Sequence, residues 1–302
     1  MTGSTHVGRF APSPTGPLHL GSLVAALGSF LAARAVGGTW RVRIDDIDPP
    51  REVPGAADRI LRQLDAFGLH WDGAVVRQSE RSAHYAAALT TLSERDLVYR
   101  CSCTRREIAA VAARGPLGTV YPGTCRQGPR HADVTTAVRF RLAPGTLRID
   151  DTVQGRIELD AEGALGDVIL QRRDGLWAYH LATTVDDAEL GITHVVRGAD
   201  LLPAALVQTA LQTALTLPAL EWAHLPLVHW PNGDKLSKQT AAPALDPDRP
   251  LPALRMAWRI LGQAPAPASL AHVTEFMAYA QAHWTPADIP RGPVPLPPGD
   301  GA

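Results

Sequence analysis

Residues 7–69 alternate strand, helix, strand and helix, and that order constrains the fold more than any other feature of the chain. VGRF (7–10) reads as a short strand, and APSPTGP after it, with three prolines in seven residues, ends it. From His19, HLGSLVAALGSFLAARAVGG carries apolar residues on several faces and closes on Gly37–Gly38, the pattern of a buried helix. TWRVRIDDID (39–48) sets Trp40, Val42 and Ile44 against Arg41, Arg43 and Asp45, a period of two that predicts a strand. PGAADRILRQLDAFGL (54–69) starts on Pro54, carries apolar residues at Ile60, Leu61, Leu64 and Phe67, and stops at Gly68, which predicts a helix. Strands joined through helices run parallel, so this order predicts an α/β domain on a parallel sheet.

Downstream, SAHYAAALTTLSERD predicts a helix and LVYRCSC a strand entering a new unit. Residues 101–184 are turn-rich, with strand candidates at 137–142 and 168–171, and read as an inserted α+β subdomain. ITHVVRGADL (192–201) returns to the main sheet, LPAALVQTALQTALTL is a buried helix, and EWAHLPLVHW leads into a loop turning at Asn232–Gly233. The expected organisation is one domain from 1–100 and 185–240, the insertion 101–184, a C-terminal helical region 241–284, and a tail 285–302. Six prolines in those last 18 residues predict disorder. No apolar run reaches ~18 residues, so no membrane span is expected, and the N-terminus shows no secretory pattern. A cytoplasmic monomer is the expectation. Net charge of −1 gives no bulk basic field for nucleic acid, although a local arginine stripe can supply one.

Of 29 basic residues only two are lysine, and both lie in GDKLSKQT, at Lys235 and Lys238. Abundant Arg, Gly, Pro and Ala suit a GC-rich genome, so the surviving lysines point to a place where arginine fails. Two lysines around Ser237 on a turn suit a loop over polyphosphate, because lysine is a compact charge and arginine a planar fork. The other candidate phosphate site is the start of the first helix. Ligands of open α/β sheets bind off the carboxyl ends of strands, where helix N–H groups are free. His19 can donate to a phosphate oxygen there, and Gly21 lets a ring or backbone come close. Neither GxxxxGK[ST] nor a GxGxxG after the strand is present.

Three cysteines, Cys101, Cys103 and Cys125, fall within 25 residues. An odd, clustered set reads as cytosolic thiols or a metal site rather than a disulfide framework. Three thiols suit zinc, which takes four ligands in a tetrahedron. On spacing alone His131 is the candidate fourth ligand. Arg105, Arg106, Arg114, Arg126 and Arg130 lie around the cluster and could meet RNA phosphate or form a solvated basic face.

PxPTGxLHLG and KLSK together resemble the HIGH and KMSKS signatures of class I aminoacyl-tRNA synthetases. GRFAPSPTGPLHLGSLVAAL, RIDDIDPPRE, DAFGLHWDG, QSER, YRCSC, RRDGLWAYHLATTVDD, THVVRGADLL, LPLV and KLSKQ, in order over residues 8–239, resemble the glutamyl-tRNA synthetase group. Only about 60 residues follow KLSKQ, too few for a large anticodon-binding region. HLGS, RxxDIDPPREVPGA and KLSKQ are similar to the glutamyl-Q tRNA(Asp) synthetase family.

That resemblance implies a Rossmann-type class I catalytic domain with an inserted zinc-containing subdomain. It implies activation of L-glutamate with ATP and Mg²⁺, then transfer to the queuosine base in the anticodon loop of tRNA(Asp) rather than to the 3′ end. Arg9 with Phe10, Ala11, Pro12 and Ser13 would face the glutamate, and Tyr179 and Arg197 would complete the pocket. His19, Gly21, Lys235, Ser237 and Lys238 would serve ATP, with His19 and the two lysines as the catalytic set. Asp45 stands where the family has a glutamate-binding Glu, one methylene shorter. Through YPGTCR the resemblance gives Tyr121 as the fourth ligand of one structural zinc. The competing expectations are a truncated tRNA(Glu)-charging enzyme of the same fold and a non-catalytic RNA-binding paralogue.

Overall fold

The computed structural model describes residues 5–236 and 242–296. Its first strand, β1 (Val7–Phe10), leads through the proline-rich loop into α1 (Leu20–Arg34). His19 is the N-cap: its Nδ1 accepts the Ser22 N–H at 3.4 Å, satisfying a donor the helix itself cannot pair. Leu23, Leu27 and Leu31 of α1 are completely buried. The strand β2 (Thr39–Ile44) runs parallel to β1, and α2 (Ala56–Ala66) buries Ile60 and Leu64. A two-residue strand, β3 (Val76–Arg77), extends the parallel sheet on the far side of β2, and α3 (Ser82–Glu94) follows. Parallel pairing thus agrees with the order of elements, but β2 is not half-exposed. Arg43, expected on a polar face, is 0% exposed, because a central parallel strand is covered on both faces.

The middle of the chain is more ordered than its composition predicts. After β4 (Val98–Cys101) comes α4 (Arg105–Val111), opened by a Thr104–Glu107 capping box. A minimal hairpin, β5 (Arg114–Gly115) with β6 (Gly118–Thr119), precedes β7 (Ala137–Phe140). Then β8 (Thr146–Asp151) and β9 (Gly155–Asp160) form a six-residue antiparallel hairpin, and β10 (Ile169–Gln171) closes a sheet in the order β10–β7–β4. The boundary expected at residue 184 falls inside α5 (Tyr179–Glu189). The hairpin also leaves the insertion: β8 meets the main sheet through Asp151 opposite Trp222.

The chain returns through β11 (His194–Gly198), α6 (Leu202–Leu215) and β12 (Glu221–Leu225). β11 lies beside β1, joined at its start by Thr193 N–H to the Val7 carbonyl at 3.0 Å, and pairs parallel with β12 on its other side. The core strands therefore run β3–β2–β1–β11–β12, with α1 packed over the centre. Gly28 permits that approach, since a Cβ there would sit 2.6 Å from Leu225 Cδ1, and overpacking of this kind costs about 1–3 kcal/mol.

After β13 (Val228–His229), the helices α7 (Pro250–Ile260) and α8 (Val273–Ala282) join the same core rather than forming a separate region: Leu254, Trp258 and Phe276 cluster with Leu23 and Trp40. The tail corrects the expectation of disorder for residues 285–296. Ile289 is buried, and β14 (Val294–Pro295) pairs parallel with β13. Val294 N–H donates to the Leu227 carbonyl at 2.8 Å and Leu296 N–H to that of His229 at 2.7 Å. Pro295 sits between these donors, where its missing N–H is not needed. Gly262, at φ +76°, leaves room for the Asp288 carbonyl to cross where a Cβ would collide. Residues 297–302 lie outside the described residues. No helix among the described residues is long and apolar enough to cross a membrane.

Candidate active site

The carboxyl ends of β1, β2 and β11 meet the start of α1 around a cavity of about 240 Å³. That is below the ~300–1,000 Å³ of drug-sized sites and suits an amino acid. Arg9, Phe10 and Ala11 enter it from β1, and His19 and Gly21 from the start of α1. Asp45 comes from the end of β2, Tyr179 from the start of α5, Arg197 from β11, and Lys235 from the loop after β13. Nine residues singled out in sequence, spread from position 9 to 235, thus share one cavity.

Two of the set lie elsewhere. The Pro12 carbonyl accepts the Asp45 N–H at 3.0 Å, so Pro12 shapes the loop without lining the cavity, and Ser13 is exposed. Ser237 and Lys238 lie outside the described residues, and the described residues on either side of them are hydrogen-bonded into the fold. Leu236 N–H donates to the Val228 carbonyl at 2.7 Å, and Leu245 N–H to that of Leu18 at 2.9 Å. A β-bridge joins Ala244 to His19. Gly21 allows this proximity, since a Cβ there would stand 3.0 Å from the His19 ring and 3.4 Å from the Leu236 carbonyl oxygen. With His19 Nδ1 accepting from Ser22, a neutral ring carries its proton on Nε2, the atom of the ring that can donate to an anion.

Arg9, Arg43 and Asp45 in the cavity wall belong to a buried ionic lattice whose remaining members, Asp186 and Asp187, no sequence motif singles out. Arg43 Nη1 donates to Asp187 Oδ1 at 2.6 Å and its Nε to Asp45 Oδ1 at 2.7 Å. Arg9 reaches the same Asp187 through Nε at 3.2 Å and Nη2 at 3.4 Å. Asp186 lies 3.7 Å from Arg43 and accepts from Arg81 at 2.6 Å, Gln78 at 2.8 Å and Tyr85 at 2.8 Å. Burial alone would raise Asp187, but Arg9 and Arg43 outweigh it and hold the carboxyl below its usual range. Asp45 goes the other way: burial pushes it up to about 6 against the pull of Arg43. Asp45 is thus already the partner of Arg43 before any ligand binds.

Arg197 is 5% exposed, and Tyr179 Oη and the Leu201 carbonyl each accept one of its N–H groups at 3.1 Å. Neighbouring His180 is pushed down to about 4, first by burial and then by Arg197, and is neutral at pH 7. Lys235 Nζ pairs with Asp200, which also lines the cavity, at 2.6 Å. Cations gathered on a small, largely buried pocket fit a ligand with more than one anionic group.

The cysteines form a second, separate cluster. The three Sγ atoms lie within 4.8 Å of one another, and all three residues are buried. Tyr121 Oη is 3.3 Å from Cys101 Sγ and 3.6 Å from Cys103 Sγ, while Cys103 and Cys125 approach to 3.5 Å. Such spacing suits donors around one tetrahedral ion with metal–sulfur bonds of ~2.3 Å. His131 is not among them; it faces Glu107 at 2.7 Å. Arg126 is not a free basic side chain either, because it is bound to the buried Asp167 at 2.7 and 2.8 Å.

Residues 6–246 match the family described as class I tRNA synthetases (E and Q), catalytic domain. A glutamyl-Q tRNA(Asp) synthetase of Chromobacterium violaceum is 49% identical over 297 residues, covering 98% of this chain and 99% of that protein. One from Dechloromonas aromatica is 51% identical, covering 95% and 97%. The chain belongs to the glutamyl-Q tRNA(Asp) synthetase family. Among solved structures, a glutamate tRNA ligase of Elizabethkingia meningosepticum, in complex with its amino acid, superposes with a TM-score of 0.79. Its identity is 26%, over 97% of this chain and 67% of that one. A glutamyl-Q tRNA(Asp) synthetase family member is a ligase built on the class I catalytic domain, and every cavity residue described above falls within the matched residues.

Proposed function

We propose that the chain activates L-glutamate with ATP and transfers the glutamyl group to the queuosine base of tRNA(Asp), leaving the 3′ end uncharged. The observation that carries this is the near-full-length identity of about 50% to proteins bearing that name. In the first step the α-carboxylate of glutamate attacks the α-phosphorus of ATP, the bond to the β,γ-phosphates breaks, and glutamyl-adenylate remains. A ring hydroxyl of queuosine then attacks the mixed anhydride at its carbonyl carbon, loses its proton, and AMP leaves.

Such chemistry asks the protein for position and charge neutralisation rather than covalent help. Arg9, Arg197 and Tyr179 hold the glutamate, and Asp45 faces its ammonium. His19 and the start of α1 hold the phosphates, Lys235 and Lys238 take up charge on the departing pyrophosphate, and Mg²⁺ accompanies ATP. The test is glutamate-dependent ATP–pyrophosphate exchange without tRNA: exchange is expected, and its absence under saturating substrates removes the reading.

Burial pushes Asp45 up to about 6, and the carboxyl holds a cation only when ionised, so glutamate binding should weaken as pH falls through that range. The KM for glutamate should rise by up to about tenfold per pH unit as pH falls from 6, while the KM for ATP changes less. Steady-state exchange between pH 5 and 8 measures both. Lys238→Arg keeps the charge but replaces a compact ammonium with a planar fork, so adenylate formation should fall more than about tenfold. Near-wild-type exchange in that variant removes the reason for lysine at this position.

Cys101, Cys103 and Cys125, with Tyr121, would hold one zinc ion. There it would act structurally, tying β4 to the segment 121–125. Metal analysis should find one zinc per chain, and Cys125→Ala should lower the melting temperature by at least about 5 °C.

A further inference from the structure

Arg197 is aimed by residues that do not touch the cavity. His224, completely buried and absent from the lining, stands opposite Arg197 in the register of β11 and β12. Its Nε2 lies 3.1 Å from Arg197 Nε, and its Nδ1 lies 2.6 Å from Asp151 Oδ2. Guanidinium can only donate, so Nε2 is the acceptor, and the proton of a neutral ring sits on Nδ1 and goes to Asp151. Asp151 is itself fixed: its Oδ1 accepts the N–H groups of Val153 at 3.0 Å, Gln154 at 2.8 Å and His224 at 3.2 Å. The Trp222 ring stacks with His224, and Arg197 Cζ stands 5.0 Å from its centroid. Three strands, β8, β12 and β11, thus supply Asp151, His224 and Arg197 as one row ending in the cavity.

We propose that His224, oriented by Asp151, is a positioning residue that presets the Arg197 guanidinium for the substrate carboxylate. This rests on the reading of Arg197 as a glutamate contact. The row holds Arg197 at Nε while Leu201 and Tyr179 hold its terminal nitrogens, leaving two of five donors for a ligand. An arginine ordered beforehand loses little freedom when glutamate binds. Burial is the main influence lowering the His224 pKa, which keeps the ring in the neutral form that can accept.

The experiment measures glutamate and ATP KM and kcat in exchange, with melting curves, for Asp151→Asn, His224→Asn, His224→Gln and Arg197→Ala. In Asp151→Asn the amide keeps its backbone contacts but can turn a donor toward Nδ1. The imidazole then takes the other tautomer and presents N–H to Arg197. Expected is a rise in glutamate KM of at least about tenfold, with ATP KM within about twofold and a smaller change in kcat. His224→Gln places an amide oxygen near the Nε2 position, so it should recover glutamate KM relative to His224→Asn, whose amide reaches only the Nδ1 position. Should Asp151→Asn fail to fold, the Gln–Asn comparison decides. Equal loss of glutamate and ATP affinity, or no difference between Gln and Asn, overturns the proposal. If Arg197→Ala raises glutamate KM but the other three leave it unchanged, the inference fails and the Arg197 reading stands. If Arg197→Ala itself leaves glutamate KM unchanged, that reading falls, and the inference with it.

Discussion

Arg9→Ala lowers kcat/KM for glutamate in ATP–pyrophosphate exchange by about 10³-fold. Arg9 is 3% exposed, lines the cavity, and already pairs with Asp187 at 3.2 Å. Truncation removes a buried charge-assisted partner and leaves a substrate carboxylate unpaired at that point of the pocket. Losses of this kind run to about 4 kcal/mol, and each 1.36 kcal/mol is a factor of ten in rate. Arg9→Lys restores charge but not the two-pronged geometry, so it should keep a defect of at least about tenfold. Since Asp187 keeps Arg43, the melting temperature of Arg9→Ala should fall far less than activity. Parallel loss of exchange and of folded protein would assign Arg9 to the lattice alone.

Arg43→Met destabilises the fold by about 3–5 kcal/mol, the range expected when one partner of a buried ion pair is removed. Asp45 and Asp187 both lie within 3 Å of Arg43 and all three are buried, so the variant leaves two carboxylates facing each other across an apolar side chain. In the native lattice Asp187 is held below its usual range, so its contribution is present above the unfolded pKa and lost as pH falls. Without Arg43, Asp45, already raised by burial, rises further and Asp187 keeps Arg9 alone, so the folded variant binds more protons than the folded wild type and loses stability relative to it as pH rises. The gap between variant and wild type should therefore narrow from pH 8 to pH 5 in denaturant titrations. A gap that is absent, or that does not change with pH, contradicts the role given to Arg43.

What the sequence made legible follows from distance along the chain. β1, α1, β2 and α2 are local patterns punctuated by Pro and Gly, and they appear where expected. The cavity residues could be assembled only because motif wording tied distant stretches together, from RFAPS to GDK. The lattice had no such wording: Arg43 and Asp187 are 144 residues apart, and adjacent acids in TTVDDAEL resemble any solvated helix face until Arg43 is known to be buried. Asp151 and His224, 73 residues apart, meet only through sheet register. Residues 146–160 carried a readable signal, with Leu147 and Ile149 alternating against Ile157 and Leu159 around Gly155 at φ +81°, but the hairpin was lost among the turns of a short-stranded region. In the tail, proline content excludes helices and central strands but not an edge strand that needs only alternate N–H donors.

Transfer of labelled glutamate, with ATP, to tRNA(Asp) containing or lacking queuosine tests the central claim most directly. The account predicts label on the queuosine-containing tRNA alone, attached in the anticodon stem-loop fragment after nuclease cleavage. Equal labelling of both tRNAs, or label at the 3′ end, would contradict it.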